Sequence, residues 1–181
     1  MTVTSKKWRE VGEKNEAKAL YLSAFPKEER LPWWLLCLCS ARRDMGITAY
    51  YSDGVFCGIT VSAATDKVLF LLFFAVADGC RGKGCGSEIL KLLKREYPGR
   101  AIVLNVEPLD EKAENAAQRV SRMRFYNRNG FFDTGYDIDE VGGTFRVLSD
   151  GPLEPQAYLK VFGRISFGLW RPYLRQAEQK K

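Results

Sequence analysis

At 181 residues, with 46% hydrophobic and 28% charged positions, the chain can bury one sizeable core, and this balance excludes a disordered polymer. Its net charge of +6 and isoelectric point of about 9.1 suit either solubility or attraction of an anionic ligand, and no nucleic-acid recognition motif accompanies them. The absence of histidine excludes a histidine base, a Ser-His or Cys-His nucleophile pair and a His-ligated metal.

Five cysteines show no paired metal-ligand spacing, and Cys37 and Cys39 are too close for an easy disulfide. Reduced thiols and no metal are expected. The longest apolar run, Val68 to Ala77, is about half of what a bilayer span requires. The opening MTVTSKKWREVGEK is polar and lacks a signal-peptide core, so a cytoplasmic protein without a membrane partner is expected.

In chain order, Trp8 to Val11 reads as a short strand. From Asn15, a plausible cap, Ala17, Leu20, Tyr21 and Ala24 recur at helical spacing until Pro26 stops them. A second helix starts near Pro32, which suits a first-turn position, and runs through WWLLCLCSARR. The period then changes. Ile47 to Tyr51, Val55 to Ala63 and Val68 to Ala77 are β-rich runs separated by SDG and TDK, which predicts an antiparallel meander.

After the glycine cluster DGCRGKGCGSEIL (Asp78 to Leu90), Ile89, Leu92 and Leu93 give a helix its apolar stripe, and Pro98-Gly99 ends it. Ala101 to Val106 predicts a central strand parallel to the one before the glycines. A helix over Asn115 to Asn129 closes at Gly130, and strands follow around Phe131 to Ile138 and Thr144 to Leu148. Beyond Asp150-Gly151-Pro152, Tyr158, Val161, Phe162 and Ile165 share one side of a helix, followed by Phe167, Leu169 and Trp170. The expected architecture is α/β: a largely antiparallel mixed sheet with one parallel pair and helices on both faces. One domain over residues 1–150 carries a helical extension over 151–181, docked on that domain or on a dimer partner. A monomer or a homodimer is expected.

The glycine cluster lies between a strand and an amphipathic helix. Helix N-termini present unpaired N–H groups and partial positive charge, and glycines let that backbone curl around a phosphate. Arg81 and Lys83 add cations. The P-loop pattern GxxxxGK[ST] fails, because Cys85 stands where lysine is required. The dinucleotide pattern GxGxxG nearly fits from Gly82, but Ser87 replaces the third glycine. Glu107 stands where a ribose-binding acid would, yet an antiparallel meander precedes the loop.

The pattern [RQ]xxGx[GA] is filled at every fixed position by Arg81-Gly82-Lys83-Gly84-Cys85-Gly86. With FAVADGCRGKGCG at the loop, FYNRNGF about forty residues on, and AFPKEERLP between the first helices, the chain resembles the GNAT superfamily of N-acetyltransferases. That resemblance implies acetyl-CoA as cosubstrate, held where two parallel strands splay apart, and direct transfer to an amine in a ternary complex. The strand ending in Phe74-Ala75-Val76 would pair with the pantetheine arm, as an added strand would. Backbone amides of Gly82, Lys83, Gly84, Cys85, Gly86 and Ser87 would hold the pyrophosphate, with Arg81 beside them.

By the same likeness, the Val76 N–H donates to the oxyanion and Tyr126 protonates the departing thiolate. Glu107 is a candidate base, with Glu28 and Glu29 as alternatives. Many members carry asparagine seven residues before the tyrosine; here Arg119 stands there, in a helix that also holds Arg122, Arg124 and Arg128. Arg119 is a candidate contact for a CoA phosphate. The acceptor is a small-molecule or peptide amine, and Glu28, Glu29, Asp53, Asp137, Asp139 and Glu140 could form an acidic mouth for it. The alternatives are a non-catalytic acyl-CoA-binding module of the same fold or a dinucleotide-binding protein.

Overall fold

The structure, a computed structural model, describes residues 1–42, 44–140, 143–166 and 172–177. The longest apolar runs become strands buried on both faces, β2 (Met45–Ser52), β3 (Val55–Ala64) and β4 (Val68–Val76). With β1 (Val3–Lys7), β5 (Ala101–Val106), β6 (Phe132–Glu140), β7 (Gly143–Ser149) and β8 (Leu174–Gln176), they follow the order β1-β2-β3-β4-β5-β7-β6-β8. The sheet is mostly antiparallel, and β4–β5 is the parallel pair. A parallel pair needs a crossover connection, supplied by α3 (Cys85–Glu96).

The described chain divides into two units, Met1–Ala64 with Leu71–Gly99, and Thr65–Phe70 with Arg100–Lys181. The boundary falls inside β4, whose opening residues belong to the second unit and whose remainder belongs to the first.

In the first unit, α1 (Lys14–Ala24) buries Ala17, Leu20 and Tyr21, and α2 (Trp33–Cys39) buries Leu36. They join Ile47, Ile59, Val61, Phe73 and Ala75 in one apolar cluster. The Tyr21 ring meets Phe73 edge-on with centroids 5.0 Å apart, and its hydroxyl donates to Leu31 O at 3.0 Å, which ties α1 to the loop before α2. On α3, Ile89, Leu90 and Leu93 are buried while Lys91, Lys94 and Arg95 are exposed.

Two local expectations are corrected here. Trp8–Glu10 forms a 3-10 turn instead of a strand, and the strand lies before it at Val3–Lys7. Glu10 accepts the Lys7 N–H at 3.3 Å, and the Trp8 ring packs edge-on against Trp33, so the chain folds back where the strand was expected. Helix α2 stops at Cys39, with Pro32 at its N-cap, because Ser40 donates its hydroxyl to Cys37 O at 2.6 Å and the following amides make tighter three-residue bonds.

In the second unit, the Ala101 N–H donates to Lys67 O at 2.9 Å where β5 runs beside the start of β4. Helix α5 (Pro155–Ile165) buries Tyr158, Val161 and Phe162. The Phe70 ring lies 5.5 Å from Tyr158 and 5.2 Å from Phe162, and the Tyr158 hydroxyl donates to Asn105 Oδ1 at 2.8 Å. Phe167, Leu169 and Trp170 lie outside the described residues. Among the described residues no helix is long and apolar enough to cross a membrane.

Gly58 on β3 marks a close approach. A Cβ there would sit 2.7 Å from Ala75 O and 3.2 Å from Ile89 Cδ1, so the backbone of β4 leaves no room for a side chain. Gly58→Ala should destabilise the protein by about 1–3 kcal/mol, the usual cost of overpacking. Urea unfolding checks this: the midpoint should fall at unchanged slope, and an unmoved midpoint would contradict the packing described.

Candidate active site

The loop after β4 is shaped by its backbone. The Ala77 N–H still donates to Cys57 O at 2.9 Å, and Cys80 then folds back to donate to Ala77 O at 2.8 Å within the turn Asp78–Cys80. Gly82 (φ 72°) and Gly84 (φ 85°) are both left-handed, a region that L side chains resist. A Cβ on Gly82 would meet nothing within 4 Å, and one on Gly84 only Met1 Cε at 3.5 Å. Conformation, not crowding, therefore demands glycine at both positions. Gly79 has neither feature, and nothing in the structure requires glycine there.

Gly84 is the N-cap of α3, and no side chain caps that helix. The leading N–H groups of a twelve-residue helix are thus left for another acceptor, with the positive end of its dipole behind them. Residues 81–84 are exposed, Ser87 is half-buried in the first turn, and Cys85 and Gly86 are buried. Cys85 turns its thiol inward, 3.7 Å from Met1 Sδ, so it offers the loop only its backbone. Burial pushes the neighbouring Cys57 thiol up to about 12. Arg81 ties the bend to the strand: its Nε donates to Val76 O at 3.1 Å and its Nη1 pairs with Asp78 Oδ1 at 2.8 Å.

Successive N–H groups of a strand point to opposite edges. The Ala77 N–H points to β3, so the Val76 N–H points away from it. Phe74 shares the parity of Val76.

The other expected site residues belong to the second unit. Glu107 follows β5 directly, and both of its carboxylate oxygens are engaged by α4 (Ala116–Arg128) and its N-cap Asn115. Oε1 accepts Asn115 Nδ2 at 3.0 Å and pairs with Arg119 Nη2 at 2.9 Å, while Oε2 accepts Arg122 Nη1 at 2.7 Å. Burial alone would raise this carboxyl. The hydrogen bonds from Asn115 and Arg122 and the two guanidinium charges outweigh it and hold Glu107 below its ordinary value. A carboxylate held in this way is a weaker base than an unpaired glutamate.

Arg119 is equally occupied within the protein. Its Nε donates to Asn115 Oδ1 at 2.7 Å and its Nη1 to Pro108 O at 2.9 Å, besides the pair with Glu107.

Tyr126 is 8% exposed, its ring edge-on to Phe125 and Phe131 with centroids 5.2 and 5.6 Å away. Burial pushes its phenol up to about 12, against a smaller downward pull from Arg122. Its hydroxyl makes no hydrogen bond among the described residues. Every wholly buried side-chain N or O among them has a partner, so this hydroxyl is not wholly buried.

Several acids of the expected mouth are paired. Asp137 accepts Arg146 Nε at 2.6 Å, Asp139 pairs with Arg175 at 2.7 Å, and Glu140 accepts from Asn105. Asp53 accepts the Thr2 N–H at 3.1 Å. A groove of about 1120 Å³ in the second unit has Asp133, Asp137, Arg146 and Arg175 in its wall, so opposite charges neutralise one another there.

The partners of Glu107 were missed from sequence, although a signal existed: positions 115, 119 and 122 fall on one face of a helix. Because the Glu107 carboxyl is depressed on folding, its contribution to stability is complete above the ordinary carboxylate range and is lost as pH falls through the folded value. Glu107→Gln should therefore lower the thermal midpoint at neutral pH and flatten the fall in midpoint on acidification. Parallel acid limbs for parent and variant would contradict the ion pairing.

Comparison with known proteins bears on the family and the fold. The model of the acetyltransferase (GNAT) family matches residues 14–131. YjbC of Bacillus subtilis, which carries a provisional acetyltransferase name, is 32% identical over 82 residues, 45% of this chain but only 40% of its own length. Among solved structures, a GNAT-family protein of Bacteroides thetaiotaomicron superposes with a TM-score of 0.71 at 21% identity, covering 94% of this chain and 100% of that one. An aminoglycoside 6'-N-acetyltransferase complexed with coenzyme A gives 0.64 at 14% identity, covering 85% and 99%. These likenesses show the fold. With the family model reaching from the start of α1 to beyond the end of α4, the chain belongs to the acetyltransferase (GNAT) family.

Proposed function

We propose that the protein moves an acetyl group from acetyl-CoA directly to a primary amine of a small molecule or peptide, in a ternary complex. The observation that carries this is the uncapped start of α3 behind two left-handed glycines, a ready anion site within the pattern that fills Arg81 to Gly86. In this account the amides from Gly82 to Ser87 hold the pyrophosphate. The pantetheine arm lies along the edge of β4 that faces away from β3, where Phe74 and Val76 present their backbone.

The acceptor attacks as a neutral amine. Its nitrogen forms a bond to the thioester carbon while the oxyanion takes a hydrogen bond from the Val76 N–H. As the C–S bond breaks, Tyr126 gives its proton to the thiolate and regains one from the new amide nitrogen through water. A phenol raised to about 12 stays protonated at neutral pH. The low-dielectric surroundings that raise it also make the departing thiolate more basic, which keeps the transfer feasible. Five free cysteines support a reducing, cytoplasmic setting.

Tyr126→Phe should retain coenzyme A binding and lower turnover by about tenfold or more, the scale of general-acid effects. Release of free thiol from acetyl-CoA with a panel of amines measures turnover, and calorimetry measures binding. Binding of acetyl-CoA by the parent with no release for any amine class would overturn the enzymatic reading.

A further inference from the structure

We infer that Glu107 is a positioning residue for the reaction, gripping one stripe of α4 and thereby fixing Tyr126, which lies on that stripe. The inference rests on the proposal that Tyr126 is the acid. Glu107 holds Asn115, Arg119 and Arg122, and the next position in the series is 126; the steps of four, three and four residues keep all four side chains on one helical face. The grip extends over two turns of the helix, from its N-cap to one turn before the tyrosine.

The clamp is well determined. The side chains of Glu107 and Arg119 are only 20% and 19% exposed, so solvent screens their pair less than an open surface pair. Arg119 also bonds Pro108 O, the residue after Glu107, so β5's exit and the start of α4 are joined by side chain and backbone together. Arg122 is the more exposed partner at 42%, and removing it loosens the stripe without leaving a buried charge unpaired. The groups facing the carboxylate are Asn115, Arg119 and Arg122.

This assignment differs from that of a general base in what each variant does. If Glu107 positions Tyr126, then Glu107→Gln and Arg122→Met loosen the same contact. If Glu107 is a base, Arg122→Met frees it to become more basic, while Glu107→Gln removes it.

The test is a set of steady-state measurements on Glu107→Gln, Arg122→Met, their double variant, and Glu107→Gln in a Tyr126→Phe background. We expect each single change to lower kcat by about three- to tenfold, the scale of a small misplacement, with KM for acetyl-CoA within about twofold of the parent. The double variant should be no slower than the slower single, and Glu107→Gln should add nothing once Tyr126 is phenylalanine. Parental kcat in Glu107→Gln, with Tyr126→Phe impaired, would overturn the positioning role and leave the acid intact. A normal Tyr126→Phe enzyme would overturn both. An acid limb moved to higher pH by Arg122→Met at undiminished kcat would return Glu107 to the role of base. Should Glu107→Gln fail to fold, Arg122→Met in the parent and Tyr126→Phe backgrounds decides the matter alone.

Discussion

The direction in which α3 leaves β4 is set by two residues whose backbones turn the disfavoured way. Gly82 and Gly84 bend the chain so that the first amides of a twelve-residue helix emerge uncapped beside an exposed arginine and lysine. A side chain in that conformation would cost about 1–2 kcal/mol at each position. The helix then anchors itself with Ile89, Leu90 and Leu93, so the bend is held by packing on one side and by Arg81 on the other. A fixed set of donors pointing at open space is what a multiply charged anion needs, since none of the ordering has to happen on binding.

The second unit contributes a different kind of order. Part of the chain's positive charge is not free to attract ligands. Arg119 and Arg122 are engaged by Glu107, Arg146 by Asp133 and Asp137, and Arg175 by Asp139. These pairs fix helices and strands to one another. The net charge of +6 is therefore a poor guide to where an anion goes; in the bend Arg81 is itself paired with Asp78, and the exposed Lys83 beside the uncapped start of α3 is a better one.

Legibility in the sequence followed the length and polarity of each segment. β2 to β5 were readable because long apolar runs have few alternatives to a strand buried on both faces, and the glycine pattern, with FYNRNGF, pointed to the family. β1 and β8 were not readable. VTSKK buries only Val3, and LRQ buries nothing fully, so each is a strand only because a neighbour supplies hydrogen bonds at the sheet edge. Trp8 was misplaced for the same reason, since its edge-on contact with Trp33 comes from a helix twenty-five residues away. Glu107 was found as an acid at a strand end, but its character depends on three partners from the next helix, which composition cannot weigh.

The claim on which the account depends is that main-chain amides of the bend hold the diphosphate of coenzyme A. Titrating the purified protein calorimetrically with coenzyme A and, separately, with pantetheine tests it most directly, because pantetheine keeps the amide arm and lacks the diphosphate. Coenzyme A should bind at least about tenfold more tightly, a difference of about 1.4 kcal/mol. Equal affinity for the two would contradict it.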